Sequence, residues 1–268
     1  MRLIAVNKNG LKTSDLLETR LDWKSIDHFA AHTEFDGKLD SLYQFGASRK
    51  IDFLPVIQKA RPKLALFDMD STLVNGEVIN ELAKIKKCEK DIAEITRRAM
   101  NGELDFAQSL TMRLSYLDQI PYKSLEEIHY RLLPNPGARE LIWGLKQMGV
   151  KTYIASGGFD FFASKLCLDL GMDGQFSNTL EIKNGMTTGQ ITSEVVDAKK
   201  KRDILEMKAR ELGISMMETI AVGDGANDLE MIRASGFGIA YHAKPIVKEQ
   251  SPIQLNHNPL DALLYLWK

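Results

Sequence analysis

The chain has 268 residues, with 35 Lys and Arg against 36 Asp and Glu and a net charge of −1. That length suits a core domain with one or two smaller additions, and the balanced charge leaves no basic footprint for nucleic acid or for an anionic membrane surface. No apolar run approaches the roughly 18 residues of a membrane helix, and residues 3–6 are too short an apolar run for a secretory signal. The expectation is a soluble, cytoplasmic protein with a small-molecule partner.

Residues 1–61 show little periodicity beyond 39–45 and suggest no role; Arg61-Pro62 is a natural junction before the first core strand. The apolar run Leu64–Phe67 reads as that buried strand. From 76 to 133 come helical patterns (77–86, 90–100, 105–117, 124–132) with no strand between them, which predicts a helical cap inserted after the first core strand. Helix and strand patterns then alternate: helix 138–148, strand 150–155, helix 159–170, helix 200–212, strand 219–222, helix 228–234 and strand 238–240. This is the rhythm of an α/β doubly wound parallel sheet covering residues 62–268. Asn184-Gly185 predicts a tight hairpin over 180–191, lying beside that sheet. Cys88 and Cys167 fall in helical runs and read as buried free thiols, suited to a reducing compartment. The histidines, His28, His32, His129, His242 and His257, form no metal-ligand spacing.

Four constellations carry chemistry. In Asp68-Met69-Asp70-Ser71-Thr72-Leu73 an apolar strand runs into two carboxylates, and ligands bind at the carboxyl ends of strands in open α/β sheets. An ordinary strand-ending turn is the alternative for that motif alone. Val222-Gly223-Asp224-Gly225-Ala226-Asn227-Asp228 places further carboxylates at a second strand end, where hard oxygen ligands suit Mg²⁺; the plain alternative is a glycine loop capping a helix. Ser156-Gly157-Gly158 joins a strand to a helix and offers a hydroxyl and backbone N–H groups to a phosphate. Lys199-Lys200-Lys201 opens a helix; such a run is usually a solvated face, but one lysine aimed inward would neutralise phosphate charge. Together they point to phosphoryl transfer through a carboxylate, with Asp68 as nucleophile and Asp70 as proton donor and acceptor.

That order of motifs resembles the haloacid dehalogenase (HAD) superfamily, and within it most closely the phosphoserine phosphatase family. The likeness runs from about Lys63 to the C-terminus and includes Ala155-Ser156-Gly157-Gly158-Phe159 and Ala240-Tyr241-His242-Ala243-Lys244-Pro245. It implies a HAD-like fold that hydrolyses O-phospho-L-serine through an aspartyl phosphate, the last step of serine biosynthesis. It implies Mg²⁺ held by Asp68, the Asp70 carbonyl and Asp224, and phosphate held by Ser156, Gly157 and Lys201. Asn227 and Asp228 would complete those surroundings, with Gly158 supporting the turn. In the cap, Glu77 would take the substrate's ammonium and Arg113 its carboxylate, with Met100 and Phe106 as apolar lining. Without the resemblance, Glu77 reads as an acid in a first helical turn and Arg113 as a surface arginine. A homodimer is compatible with the family. The chain departs from some members in showing no visible regulatory amino-acid-binding domain in residues 1–60. The rival expectations are a phosphatase or phosphotransferase for another small phosphomonoester, and a non-catalytic phosphate- or Mg²⁺-binding module.

Overall fold

Short strands build the N-terminal layer: β1 Arg2–Val6 and β4 Asp52–Pro55, buried on both faces, with β2 Lys24–Ser25 and β3 Ala30–Glu34 outside them and helix α1 Asp40–Arg49 between β3 and β4. The computed structural model describes residues 1–57 and 60–268, and the Met100 side chain lies outside the described part. The four strands pair antiparallel in the order β2-β3-β1-β4. Leu3 and Ala5 face a small core with Leu16, Trp23 and Phe53, while Ile4, Val6 and Leu54 face the main core. The period of two along a strand thus serves two cores at once. A buried carboxylate joins this layer to the rest: Asp52 accepts hydrogen bonds from the N–H groups of Asn256 (2.7 Å), His257 (3.0 Å) and Asn258 (2.9 Å). The sequence pattern reveals only the helical stretch here, because two- to five-residue strands carry too few alternations to register.

The remaining elements, in chain order, are β5 Leu64–Phe67, α2 Val78–Lys86, α3 Glu89–Met100, α4 Phe106–Leu114, β6 Asp118–Pro121, α5 Tyr122–Arg131, α6 Ala138–Gln147, β7 Lys151–Phe159 and α7 Asp160–Leu170. After these come β8 Gly174–Asn178, β9 Leu180–Lys183, β10 Met186–Ile191, α8 Ala198–Glu211, β11 Thr219–Gly223, α9 Leu229–Ala234, β12 Phe237–Tyr241, α10 Pro245–Gln250 and β13 Ile253–Leu255. A six-stranded parallel sheet has the order β13-β12-β11-β5-β7-β8, so the expected α/β doubly wound architecture holds. The chain builds outward from β5 through β7 to β8, then returns through β11 to the other side. This makes β5 the point where winding reverses, and a crevice opens there at the carboxyl ends of the strands. β8 and β13 give no clear sequence signal; β8 is only partly buried and β13 has three residues.

Between β5 and α6 the chain forms the helical insertion α2 to α5, and it contains one strand, β6, where none was expected. The partner of β6 lies far away in sequence: β10 pairs with it and with β9, giving a separate sheet of order β6-β10-β9. The hairpin therefore attaches to the cap rather than beside the parallel sheet. Thr187 locks the joint, its buried hydroxyl donating to the Leu117 carbonyl (2.6 Å) and accepting from the Ile120 N–H (2.9 Å). At the turn Asn184 (φ 51°) and Gly185 (φ 74°) are both left-handed, as a type I′ hairpin requires. Among the described residues no helix is long and apolar enough to cross a membrane.

Candidate active site

The fully buried strand β5 ends at Phe67, and the chain then turns sharply. The Met69 carbonyl accepts from the N–H groups of Thr72 (3.3 Å), Leu73 (2.9 Å) and Val74 (3.0 Å), with Ser71 at φ 58°. Asp68 donates its N–H to the Val222 carbonyl of β11 (2.9 Å), which fixes it at the carboxyl ends of the two strands. Asp70 Oδ1 accepts from the Val78 N–H (2.9 Å), the first residue of α2. Ser71 Oγ donates to Glu77 Oε1 at 3.2 Å.

From β11 comes a second acidic turn. Asp228 Oδ2 accepts from the N–H groups of Asp224 (3.1 Å) and Gly225 (3.0 Å), which fixes the loop around the carboxylate. A Cβ on Gly223 would lie 2.3 Å from Asp228 Cγ, so only glycine fits beneath it. Lys201 Nζ donates to Asp68 Oδ1 (2.6 Å) and Asp228 Oδ1 (2.7 Å), with the lysine wholly buried. Of its neighbours in the run, Lys199 lines the cavity and Lys200 turns out to pair with Glu194.

Asp68, Asp224 and Asp228 each offer a carboxylate oxygen within 4.8 Å of the others. Three buried carboxylates face one buried ammonium, an excess of negative charge that a divalent cation would balance. Burial and then the Asp228 charge push the Asp68 carboxyl well up, against the pull of Lys201. Burial and Asp228 raise Asp224 to about 6, and burial with Glu77 raises Asp70 to about 7. An acidic group that changes protonation near neutrality is what an acid–base catalyst needs.

The third wall comes from β7. Its ladder with β8 pairs Ala155 with Phe176 and then Phe159 with Asn178, so residues 156–158 loop out of register towards the crevice. Gly158 donates its N–H to Ser156 Oγ (2.9 Å). A Cβ on Gly158 would meet Asp70 Oδ2 at 2.8 Å, and one on Gly157 would meet Phe106 Cζ at 2.7 Å, so a side chain at either position would displace a group of the site. The looped carbonyl of Gly157 is paired by the buried Asn178 side chain (2.7 Å), whose oxygen accepts from the Val196 N–H (2.8 Å). One amide thus ties the Ser156 turn to the segment leading into the Lys201 helix.

These walls enclose a cavity of about 600 Å³. Asp68, Asp70, Asp224, Ser156, Gly157, Gly158 and Asn227 line its core side, and Glu77, Phe106 and Arg113 its cap side. Lys201 and Asp228 lie behind the wall and reach the cavity through Asp68. Burial lowers the proton affinity of Arg113, and Glu77 raises it. Of the residues singled out in the sequence, all but Met100, whose side chain lies outside the described residues, meet here.

Residues 62–236 match the family described as haloacid dehalogenase-like hydrolase. The chain belongs to that family. Among relatives, the phosphoserine phosphatase of Methanocaldococcus jannaschii is 43% identical over 204 residues, 76% of this chain and 97% of that protein. The phosphoserine phosphatase of Vibrio cholerae is 46% identical over 191 residues, 71% of this chain. The chain spans 58% of that relative and about half of those from Archaeoglobus fulgidus (54%) and Streptomyces coelicolor (51%). Among solved structures, a HAD family hydrolase from Salmonella enterica serovar Typhi superposes with a TM-score of 0.90 at 30% identity, covering 99% of this chain and 98% of its own.

Two polar residues of this HAD hydrolase lie outside every motif of the sequence. Asn178 owes its place to the bulge in β7; Asn135 lies in a loop whose partners are some sixty residues away. No sequence signal marks either, since Asn178 ends β8, a strand with no clear pattern of its own.

Proposed function

We propose that this hydrolase is a phosphoserine phosphatase that converts O-phospho-L-serine and water to serine and phosphate through a phospho-Asp68 intermediate. The observation that carries the substrate is the pairing of Glu77 and Arg113 on the cap side of the cavity opposite Asp68. A zwitterionic amino acid end needs one anion and one cation, and a guanidinium matches a carboxylate with two parallel bonds. Asp68, the Asp70 carbonyl and Asp224 would hold Mg²⁺, with Asp228 behind them; when bound, the ion supplies positive charge to the phosphoryl oxygens.

Asp68 attacks phosphorus as the bond to the serine oxygen breaks, and Asp70 gives that oxygen its proton. Water then attacks the same phosphorus, Asp70 takes its proton, and the Asp68 carboxylate is restored as phosphate leaves. Lys201 aims Asp68 throughout, because its ammonium is fixed at the other end by Asp228. Ser156 and the Gly157 N–H receive the phosphoryl oxygens, beside Asn227, while Phe106 closes the apolar side.

The test is phosphate release, with Mg²⁺, from L-phosphoserine beside phosphoethanolamine, which keeps the ammonium and lacks the carboxylate. Phosphoserine is strongly preferred, Arg113→Ala erases the preference, and Asp68→Asn abolishes turnover of both. Equal wild-type rates would discard the substrate, and an active Asp68→Asn would discard the mechanism.

A further inference from the structure

The cap joins the core through two strands of chain, residues 70–77 on the way in and 132–137 on the way out. They run antiparallel, with Val74 bridged to Pro134, Asn75 N–H donating to the Leu133 carbonyl (3.0 Å) and Asn135 N–H donating to the Leu73 carbonyl (2.8 Å). In the inward strand the N–H groups of residues 72–74 all turn to the Met69 carbonyl, which leaves their own carbonyls facing the opposite way. Asn135 fills that side. Its Nδ2 lies 3.3 Å from the Ser71 carbonyl, 2.8 Å from that of Thr72 and 3.2 Å from that of Val74. With the Leu73 carbonyl on its main chain, one residue partners four successive carbonyls. Two amide hydrogens serve three acceptors, so at least one bond is shared.

The segment held in this way adjoins groups of the site, with Glu77 three residues beyond Val74. Asp70 lies immediately before it and reaches the first turn of α2; Ser71 is its first residue and donates to Glu77. We infer that Asn135 is a positioning residue: it locks the cap–core neck so that Asp70 stays aimed at the leaving oxygen and Glu77 stays turned into the cavity. Without its side-chain amide, the Ser71, Thr72 and Val74 carbonyls lose their partner while the main-chain bond to Leu73 stays, and the segment is free to re-pair with water, taking Asp70 and Glu77 with it. The effect falls first on proton transfer to the leaving oxygen and on amino-end recognition, because Asp68 is held separately by the Val222 carbonyl and Lys201, and the Ser156 turn sits on β7.

This rests on the proposed phosphatase reading and predicts a substrate-dependent loss. Asn135→Asp keeps the shape but has no amide donor and sets a negative charge against the carbonyls; Asn135→Thr keeps one donor. The assay compares kcat/KM for L-phosphoserine with that for p-nitrophenyl phosphate, whose leaving group departs without a proton and has no ammonium for Glu77. In Asn135→Asp the ratio of the two falls at least tenfold, and Asn135→Thr is intermediate. A parallel fall for both substrates, or no fall, would overturn the role. Should the variants not fold, or should wild type release no phosphate from phosphoserine, which refutes the parent reading alone, hydrogen exchange on the wild-type protein decides. Slow exchange of the Asn135 side-chain amide supports the lock, and exchange at the rate of a free amide refutes it.

Discussion

Replacing Lys201 by methionine keeps most of the side-chain volume and removes the only ammonium bonded to Asp68 and Asp228 among the described residues, at 2.6 and 2.7 Å. Both carboxylates are buried, and leaving such a pair without its cation costs about 3–5 kcal/mol. For a chain of this size about 2–4 °C of Tm accompanies each kcal/mol, so the metal-free variant melts roughly 6–20 °C below wild type at pH 7. Differential scanning calorimetry in a chelator reads this directly. The sign with pH comes from proton binding: with the pull of Lys201 gone, the Asp68 carboxyl, raised by burial and by the Asp228 charge, holds its proton in the folded state to a higher pH than in the unfolded chain. The variant's deficit therefore shrinks as pH falls from 7 to 5. Added Mg²⁺ recovers part of it, since a cation can stand between the same oxygens. A metal-free Tm within about 2 °C of wild type, the effect of an exposed pair, or a deficit that grows on acidification, would refute the reasoning.

A second expectation concerns Asp70, held at about 7 by burial and Glu77 against about 4 in an unfolded chain. Its stabilising proton is fully present below pH 4 and lost as pH rises through 7. Metal-free Asp70→Asn, which can still accept from the Val78 N–H, thus gains in Tm over wild type from pH 5 to pH 8; a gap that stays flat or narrows across that range would count against it. Gly157→Ala would drive a methyl against Phe106 Cζ (2.7 Å) and the Val196 carbonyl (3.3 Å). Overpacking of that kind costs about 1–3 kcal/mol of stability, and the part of it that falls on the bound transition state lowers kcat/KM, by up to about 150-fold if all of it does. Adding Phe106→Leu restores part of the loss, and if it restores none, the ring is not what the methyl strikes.

How much of this was legible in the sequence depends on how far apart the interacting residues lie. The strand Leu64–Phe67, the acidic turns at Asp68 and Asp224 and the Ser156-Gly157-Gly158 turn are local patterns, because an apolar run and the turn chemistry that ends it are neighbours along the chain. Their convergence comes from the parallel sheet, which brings every strand's carboxyl end to one edge. β6 is held by partners 65 and 70 residues away and β8 by partners about 20 away, β13 has three residues, and a four-residue stretch such as 118–121 has no periodicity to announce it. Sequence likewise determined that Lys201 is a candidate, but only packing decided that it is wholly buried between Asp68 and Asp228 while Lys200 faces Glu194. Tertiary structure alone placed Asn178 and Asn135, because an amide's function lies in the backbone groups it meets, and those are fixed only when a bulge in β7 and the neck of the cap have formed.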